Sequence, residues 1–585
     1  MASTDLEKDL EKASTNRISA ATTDSCYTEV PSEITPDNDD EHRRRLTPCA
    51  SQAEDRNLNM VKSGISARTT ETQNPAFEVD WDSPDDQSNP QNWSLAYKTL
   101  VIAMMSYSTT VVTLYSTSYT SGIPGLQQDF GITETTGILG LTTYLLGLGL
   151  GCLISAPMSE QFGRRPLYII SMAFFAVLVL PCVLAKNIKA ILISRFFGAI
   201  AAAAMISNAP GSINDIATEE YRAFVFSIWG IGPMNGPVLG PLIGGWVFQY
   251  AGWRWTNWVV MIAAGVAFFF LAFIKESYAP AILRRKARLQ RQSTDDDRWW
   301  SRYDEKKPLL ELVRINLSRP FVMMVTEPIC IFWDIYIAIV YAILYLCFVA
   351  YPIVFSQHRG WTPGLTGLAY CGIGVGSLIV VLGEPLIRRI INLHKREAET
   401  GRPAPEAQVS IICVGALLIP AGELWFAWTC IEPAHWIWPI LAGIPFCMGN
   451  TALFIYGNNY ILQSYGVYAA SALAGNAVLR SIAGATLPLA GPALYKNLGP
   501  HWAGTLLGLL ELACAPVPFL FYRYGDKIRN KSTLIQQMQE DRARLEGKRK
   551  RAERRLQAEV MAEPSAETGA AITEVEASVD LEKGL

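Results

Sequence analysis

Between residues 98 and 523 the chain is a succession of apolar, almost charge-free stretches, and few folds can accommodate that pattern. Twelve stand out, at about 98–119, 137–157, 166–185, 189–210, 222–248, 254–274, 329–355, 366–387, 409–429, 435–457, 467–492 and 501–523. Each is close to the roughly 20 residues a helix needs to cross a bilayer. In hydrocarbon the backbone must satisfy its own N–H and C=O groups, so such segments are helices. The expected fold class is therefore all-α and integral to a membrane, with the lipid bilayer as the first partner.

Charge supplies the orientation. Only 18% of residues are charged, and they crowd into 1–96, 275–326, 386–408 and 524–585. With both termini cytosolic, the loop at 275–328 carries twelve Lys/Arg and that at 388–408 five, whereas 120–136 and 430–434 carry none. That is the positive-inside bias. The start MASTDLEKDLEK has no basic-then-apolar signal pattern, so the first span is expected to direct insertion. A net charge of −3 says nothing about partners, and no nucleic-acid partner is expected. Eleven cysteines are scattered without a CxxC pair or a His/Cys cluster, so neither a disulfide framework, nor a metal site, nor any cofactor is expected.

The expected organisation is a disordered cytosolic tail (1–88), a first six-helix half (89–275), a cytosolic central loop (276–328), a second six-helix half (329–523) and a cytosolic C-terminal tail (524–585). The last reads as partly helical, solvated and basic, with eight Lys/Arg against three acids from Asp541 to Arg555. Six spans on either side of a long loop suggest two pseudo-symmetric halves, which is a transporter's plan. No Gly-x-x-x-x-Gly-Lys-Ser/Thr is present, so an ion gradient rather than ATP is the expected energy source.

Within the fifth span, Gly232-Pro233-Met234-Asn235-Gly236-Pro237-Val238-Leu239-Gly240-Pro241-Leu242-Ile243-Gly244-Gly245 repeats a Gly-Pro pair every four residues. As a helix it leaves the carbonyls of Trp229, Pro233 and Pro237 without donors, and its glycines form a groove without side chains. The groove admits a close neighbour, and the free carbonyls require water or a polar group such as Asn235.

Between the second and third spans, Ala156-Pro157-Met158-Ser159-Glu160-Gln161-Phe162-Gly163-Arg164-Arg165 resembles the loop motif of the major facilitator superfamily, with Glu160, Gly163, Arg164 and Arg165 at its acidic, turn and basic positions. The Gly-Pro repeat resembles that superfamily's antiporter motif, and Arg195 stands where its fourth helix has an arginine, although Gly198 and Ala199 replace the usual Gln-Gly. Asn89-Pro-Gln-Asn92-Trp93, Trp253-Arg254-Trp255, the stretch from Glu276 to Lys286, and Tyr351-Pro-Ile-Val-Phe355 are similar to the fungal twelve-span drug:proton antiporters. The resemblance covers roughly residues 88–532 and implies the superfamily's fold and alternating access about a central cavity, with antiport as the bias of the Gly-Pro motif.

Glu160, Arg164 and Asp215 fall at the cytosolic ends of their spans, where an acid–base cluster can latch an inner gate. Arg195 lies about two turns inside the fourth span and should face the bundle or snorkel outward. The resemblance implies a role in proton coupling, against the alternative of a partner to helix carbonyls. The acids within spans are Asp334, Glu384, Glu423 and Glu511, each a proton-carrier candidate, and Asp334 is preferred because the resemblance turns its helix to the cavity. Asn235, Trp333, Tyr336, Tyr341, Asn450, Asn476 and Arg480 are the expected cavity groups, suited to bulky, partly apolar molecules.

The expected function is not enzymatic. It is proton-coupled export of drugs, toxins or secondary metabolites by a monomer in the plasma membrane, with the vacuolar membrane as the alternative location. The alternatives in function are an importer of a nutrient or polyamine, and a non-transporting sensor.

Overall fold

The computed structural model describes residues 77–540, apart from 84, 218–221, 305–308, 395, 397–402 and 533, with a few isolated positions beyond. Residues 1–76 and most of the basic stretch after 540 lie outside the described residues, as do the expectations about them.

The first half consists of α1 (Leu95–Ser118), α2 (Glu134–Phe162), α3 (Arg164–Val183), α4 (Ile188–Ile216), α5 (Arg222–Ala251) and α6 (Trp253–Phe273). The central loop carries α7 (Ala279–Thr294) and α8 (Leu309–Thr326). The second half follows with α9 (Pro328–Tyr351), α10 (Pro363–Leu382), α11 (Glu384–Asn392), α12 (Glu406–Thr429), α13 (Ile437–Tyr465), α14 (Ala469–Cys514) and α15 (Pro516–Arg529). Among the described residues, ten stretches are long and apolar enough to cross a membrane. One of them holds two spans, because α14 breaks into two arms at Gly499, and α5 completes the twelve. Gly499 (φ 75°, ψ 161°) and Gly252 between α5 and α6 (φ 82°, ψ 171°) adopt nearly the same backbone, one that disfavours a Cβ.

The matching glycines reflect a wider repetition. α1 packs on α5 as α9 packs on the first arm of α14, α2 on α4 as α10 on α13, and α3 on α6 as α12 on the second arm of α14. The halves then meet through α2 against the first arm of α14 and through α5 against α10, two contacts related by the same symmetry. Exposed Phe174, Phe197, Ile262, Phe269 and Leu382 cover the outer wall, as a lipid-facing surface requires.

Two segments flanking the spans are more fixed than expected. Residues 77–88 fall within the tail assigned to disorder, yet Val79 N donates to Trp300 O at 2.8 Å and Trp300 N to Phe77 O at 3.0 Å. Acids of this segment meet bases of the central loop: Lys286 Nζ lies 2.7 Å from Asp82 Oδ1 and 3.3 Å from Asp86 Oδ2, and Arg302 Nη2 lies 2.5 Å from Glu78 Oε1. The strap persists because each acid has a partly buried basic partner, which composition does not reveal. At the other end, Ser532 Oγ donates to buried Glu327 Oε2 at 2.6 Å, and Ile535 is buried, so the start of the C-terminal tail is docked rather than solvated.

Candidate functional site

The Gly-Pro helix is paired with α1 over its whole length. A Cβ at Gly236 would collide with Thr113 Oγ1, one at Gly240 with Thr117 Oγ1, and one at Gly244 would come within 2.9 Å of Ser118 O. Two of the three carbonyls freed by proline are met by hydroxyls of α1: Ser106 Oγ donates to Trp229 O at 3.1 Å and Thr117 Oγ1 to Pro237 O at 2.8 Å. The expected polar partner, Asn235, instead donates to Ile231 O of its own helix at 3.0 Å. Hydroxyls on α1 replace it because only a side chain from the facing helix can reach the groove carbonyls.

Further along α5, a Cβ at Gly245 would strike Pro363 O, and one at Gly367 would lie 2.5 Å from Pro241 O. Gly364 N donates to Gln249 Oε1 at 3.0 Å. The end of α5 remote from the termini is therefore closed backbone-to-backbone against α10. Gly232, Pro233, Gly236, Pro237, Gly240, Pro241, Gly244 and Gly245 divide between sealing against α1, sealing against α10 and facing the cavity.

At the face carrying the central loop, Arg164 Nε lies 2.6 Å from Asp215 Oδ2 in a mostly buried pair. Glu276, absent from the residues singled out for this cluster, holds the turn: its carboxylate accepts from Arg164 N at 3.0 Å, Arg165 N at 3.1 Å and Tyr278 N at 2.9 Å. Gly163 makes this possible, since its φ is 95° and a Cβ there would be 2.7 Å from Glu276 Oε2. Tyr278 places its ring under the Arg164 guanidinium, 5.2 Å away. Glu160 makes no ion pair among the described residues and offers its carbonyl to Arg284 Nη2 at 3.3 Å. Arg165 turns to Ala272 O at 2.9 Å. Burial of the Arg164–Asp215 pair at the junction of α3 and α4 couples the two positions, because losing one partner strands the other charge.

Arg195 is completely buried. Its guanidinium donates to Gly140 O at 2.7 Å, Tyr115 O at 3.1 Å and Ser116 O at 3.2 Å, and lies 4.3–4.9 Å from the rings of Tyr119, Tyr115 and Tyr144. The charge is thus held by helix carbonyls and aromatic faces, with Nη1 buried and without a hydrogen-bond partner. These contacts tie α4 to α1 and α2, with no acid among the hydrogen-bond partners.

A cavity opens between the halves. Its wall includes Thr113 of α1, Pro233 and Pro237 of α5, Tyr341 and Tyr345 of α9, Asn450 and Phe454 of α13, and Arg480 of α14. The Arg480 guanidinium lies 4.8 Å from the Phe454 ring and 5.4 Å from that of Tyr341, and its Nε is buried without a hydrogen-bond partner. Of the expected cavity groups, Tyr341, Asn450 and Arg480 are present, whereas Asn235, Trp333, Tyr336 and Asn476 are not in its wall. Trp333 packs among Tyr460, Phe521 and Tyr336. A helix carries residues on all faces, and spacing alone does not say which face meets the cavity.

Beside the cavity, Asn476 Nδ2 donates to Asp334 Oδ1 at 2.9 Å, and Asp334 Oδ2 is buried without a partner. Glu384 is neutralised by Arg388 one turn on, at 2.7 Å.

The family model described as Major Facilitator Superfamily matches residues 100–485. The chain is 36% identical over 461 residues to the ascochitine biosynthesis cluster MFS transporter of Didymella fabae, covering 77% of this chain and 88% of that one. It is also 36% identical over 471 residues to the MFS-type efflux pump MFS2 of Trichophyton rubrum, covering 79% and 78%. Among solved structures, the partially occluded inward-open xylose transporter XylE from E. coli aligns with a TM-score of 0.55 at 15% identity, over 73% of this chain and 98% of that one. That likeness speaks for the fold alone.

Proposed function

The chain belongs to the major facilitator superfamily, and from that premise we propose that it is a proton-coupled exporter of small, aromatic or otherwise partly apolar molecules such as secondary metabolites, toxins or drugs. The observation that carries this reading is the cavity between the halves, where Arg480 sits between the rings of Phe454 and Tyr341 with Asn450 alongside. A guanidinium with an aromatic face on either side favours a planar ligand with an acidic or carbonyl oxygen. The Trichophyton rubrum relative is named an efflux pump and the Didymella fabae relative a biosynthesis-cluster transporter, which supports this reading.

Proton coupling requires a group that gains and loses a proton in each cycle, and Asp334 fills that role in this reading. It is buried, faces no cation among its hydrogen-bond partners and carries one free oxygen. The Arg164–Asp215 latch closes one face, the α5–α10 seam closes the other, and alternating access opens them in turn. The protein works in the plasma membrane with both termini in the cytosol.

The test is transport in liposomes containing only the purified protein, with an imposed pH gradient and a panel of aromatic acids, polyamines and sugars. Export predicts gradient-driven movement of an aromatic compound against the proton flow. Movement of a polyamine or sugar with the protons would make it an importer, and no movement of any compound would leave a sensor.

A further inference from the structure

Two buried acids of the second half take no part in the site above. Glu423 on α12 and Glu511 on the second arm of α14 are 3% and 1% exposed, and neither forms an ion pair among the described residues. Their helices pack face to face: Gly504 rests on Ala427, and Gly508 on Leu424. Gly504, Gly508 and Glu511 succeed one another at four- and three-residue spacing, so Glu511 shares the helix face turned to α12. A Cβ on Gly504 would lie 3.7 Å from Glu423 Oε1, which puts that carboxylate inside the same seam. The two carboxylates lie within electrostatic reach of each other, and Cys347 of α9 within reach of both.

Both oxygens of Glu511 are buried with no hydrogen-bond partner. The ionisable groups around the pair are Tyr336, Cys347 and Tyr351 of α9, Cys430 just after α12, and Tyr495 and Cys514 of α14, none of which is a cation. Arg359 and His501, near the ends of these helices, are engaged by carbonyls: Arg359 by those of Thr429, Cys430 and Ala434, His501 by that of Ala427. Two carboxylates cannot both ionise cheaply in a buried seam that offers them no cation. A proton on one of them removes a charge and adds an O–H donor beside the Glu511 oxygens, which have no hydrogen-bond partner.

We propose that Glu423 and Glu511 form a second proton-binding site, built into the α12–α14 seam and separate from both the cavity and Asp334. Its ligand is a proton taken from water, which converts one carboxylate to a carboxylic acid with no other bond made or broken. Glu423 lies six residues before the end of α12 at Thr429, about 9 Å along the axis, on the side away from residues 77–88 and Ser532. Tyr336, within reach of Glu511, is two residues from Asp334 and so points to the opposite side of α9. The two proton sites thus flank one helix. Release of the pair's proton leaves two like charges in the seam and weakens the packing of α12 on α14.

The experiment is infrared spectroscopy of the full chain in lipid nanodiscs, following the C=O stretch of protonated carboxyl groups across pH, with Glu423→Gln/Glu511→Gln and Asp334→Asn as variants. The inference expects a neutral-pH carboxylic-acid band that persists in Asp334→Asn and is lost in the double variant. The same band at full intensity in the double variant would overturn it. Should the double variant not accumulate, Glu423→Gln and Glu511→Gln are read singly, and unchanged intensity in both overturns it equally. Asp334→Asn with undiminished proton-driven transport would defeat the coupling role of Asp334 and leave this site standing.

Discussion

Asn476 and Asp334 share a hydrogen bond of 2.9 Å across the interface of α9 and α14, and it is the only one recorded to the Asp334 carboxylate among the described residues. A buried carboxylate with one donor is held in place yet remains able to accept a proton. Asp334→Asn preserves shape and removes the titrating group, so gradient-driven transport should fall by roughly tenfold or more while exchange without a gradient persists. Combining it with Asn476→Ala should add little, because both act through one bond. Transport by Asp334→Asn that still follows the pH gradient would move the coupling role elsewhere.

Arg164 and Asp215 form a mostly buried pair, and removing one partner of such a pair costs about 3–5 kcal/mol. Arg164→Asp and Asp215→Arg should each abolish transport, and the two together should restore part of it. The readout is transport normalised to surface abundance, and a double variant as inactive as the singles would count against a latch.

Thr113 leaves no room for a methyl group at Gly236. Gly236→Ala should therefore separate α1 from α5 at a cost of about 1–3 kcal/mol in a packed interior, with transport lost while the protein still reaches the membrane. Thr113→Ala in the same chain removes the nearest collision and should recover part of the activity, while Thr110 O and the Cβ of residue 113, each 2.9 Å from the new methyl, keep it below wild type. Equal activity in Gly236→Ala and wild type would show that this approach is not required.

The Asp86 carboxyl, outside the spans, is held low, at about 2: burial alone would raise it, but hydrogen bonds from Ser88, Asp82 and Lys286 outweigh that. A lowered value means stability that is complete above the unfolded value of 3.8 and is lost only as pH falls toward about 2. Docking of residues 77–88 on the central loop should thus be unchanged between mildly acidic and neutral pH. Limited proteolysis can follow it: Asp86→Asn should be cut faster at both, and a pH-dependent rate in the wild type would contradict the assignment.

Much of the site was legible because membrane sequences restrict what polar residues can mean. Gly163, Arg164 and Asp215 stand out as charge and turn signals at the ends of apolar runs, and Arg164 pairs with Asp215, whereas Glu160, expected in the same cluster, stays outside the pair. Glu276 was hidden, although it caps the same turn, because it lies more than a hundred residues downstream at the start of a basic loop where acids are unremarkable. Among the aromatics, Tyr341 lines the cavity and Trp333, two turns away on the same helix, does not. That distinction depends on the rotation of α9 against its neighbours.

The sequence by itself determined twelve membrane-length helices, their division into two sets of six and the glycine groove of α5, since a bilayer dictates element length and backbone satisfaction locally. Only the tertiary structure decided that α1 hydroxyls meet the carbonyls of Trp229 and Pro237, that Arg195 is held by carbonyls and rings, and that Glu423 and Glu511 share a seam. Those outcomes depend on which helix faces which, and that is set by close packing between segments far apart in the chain.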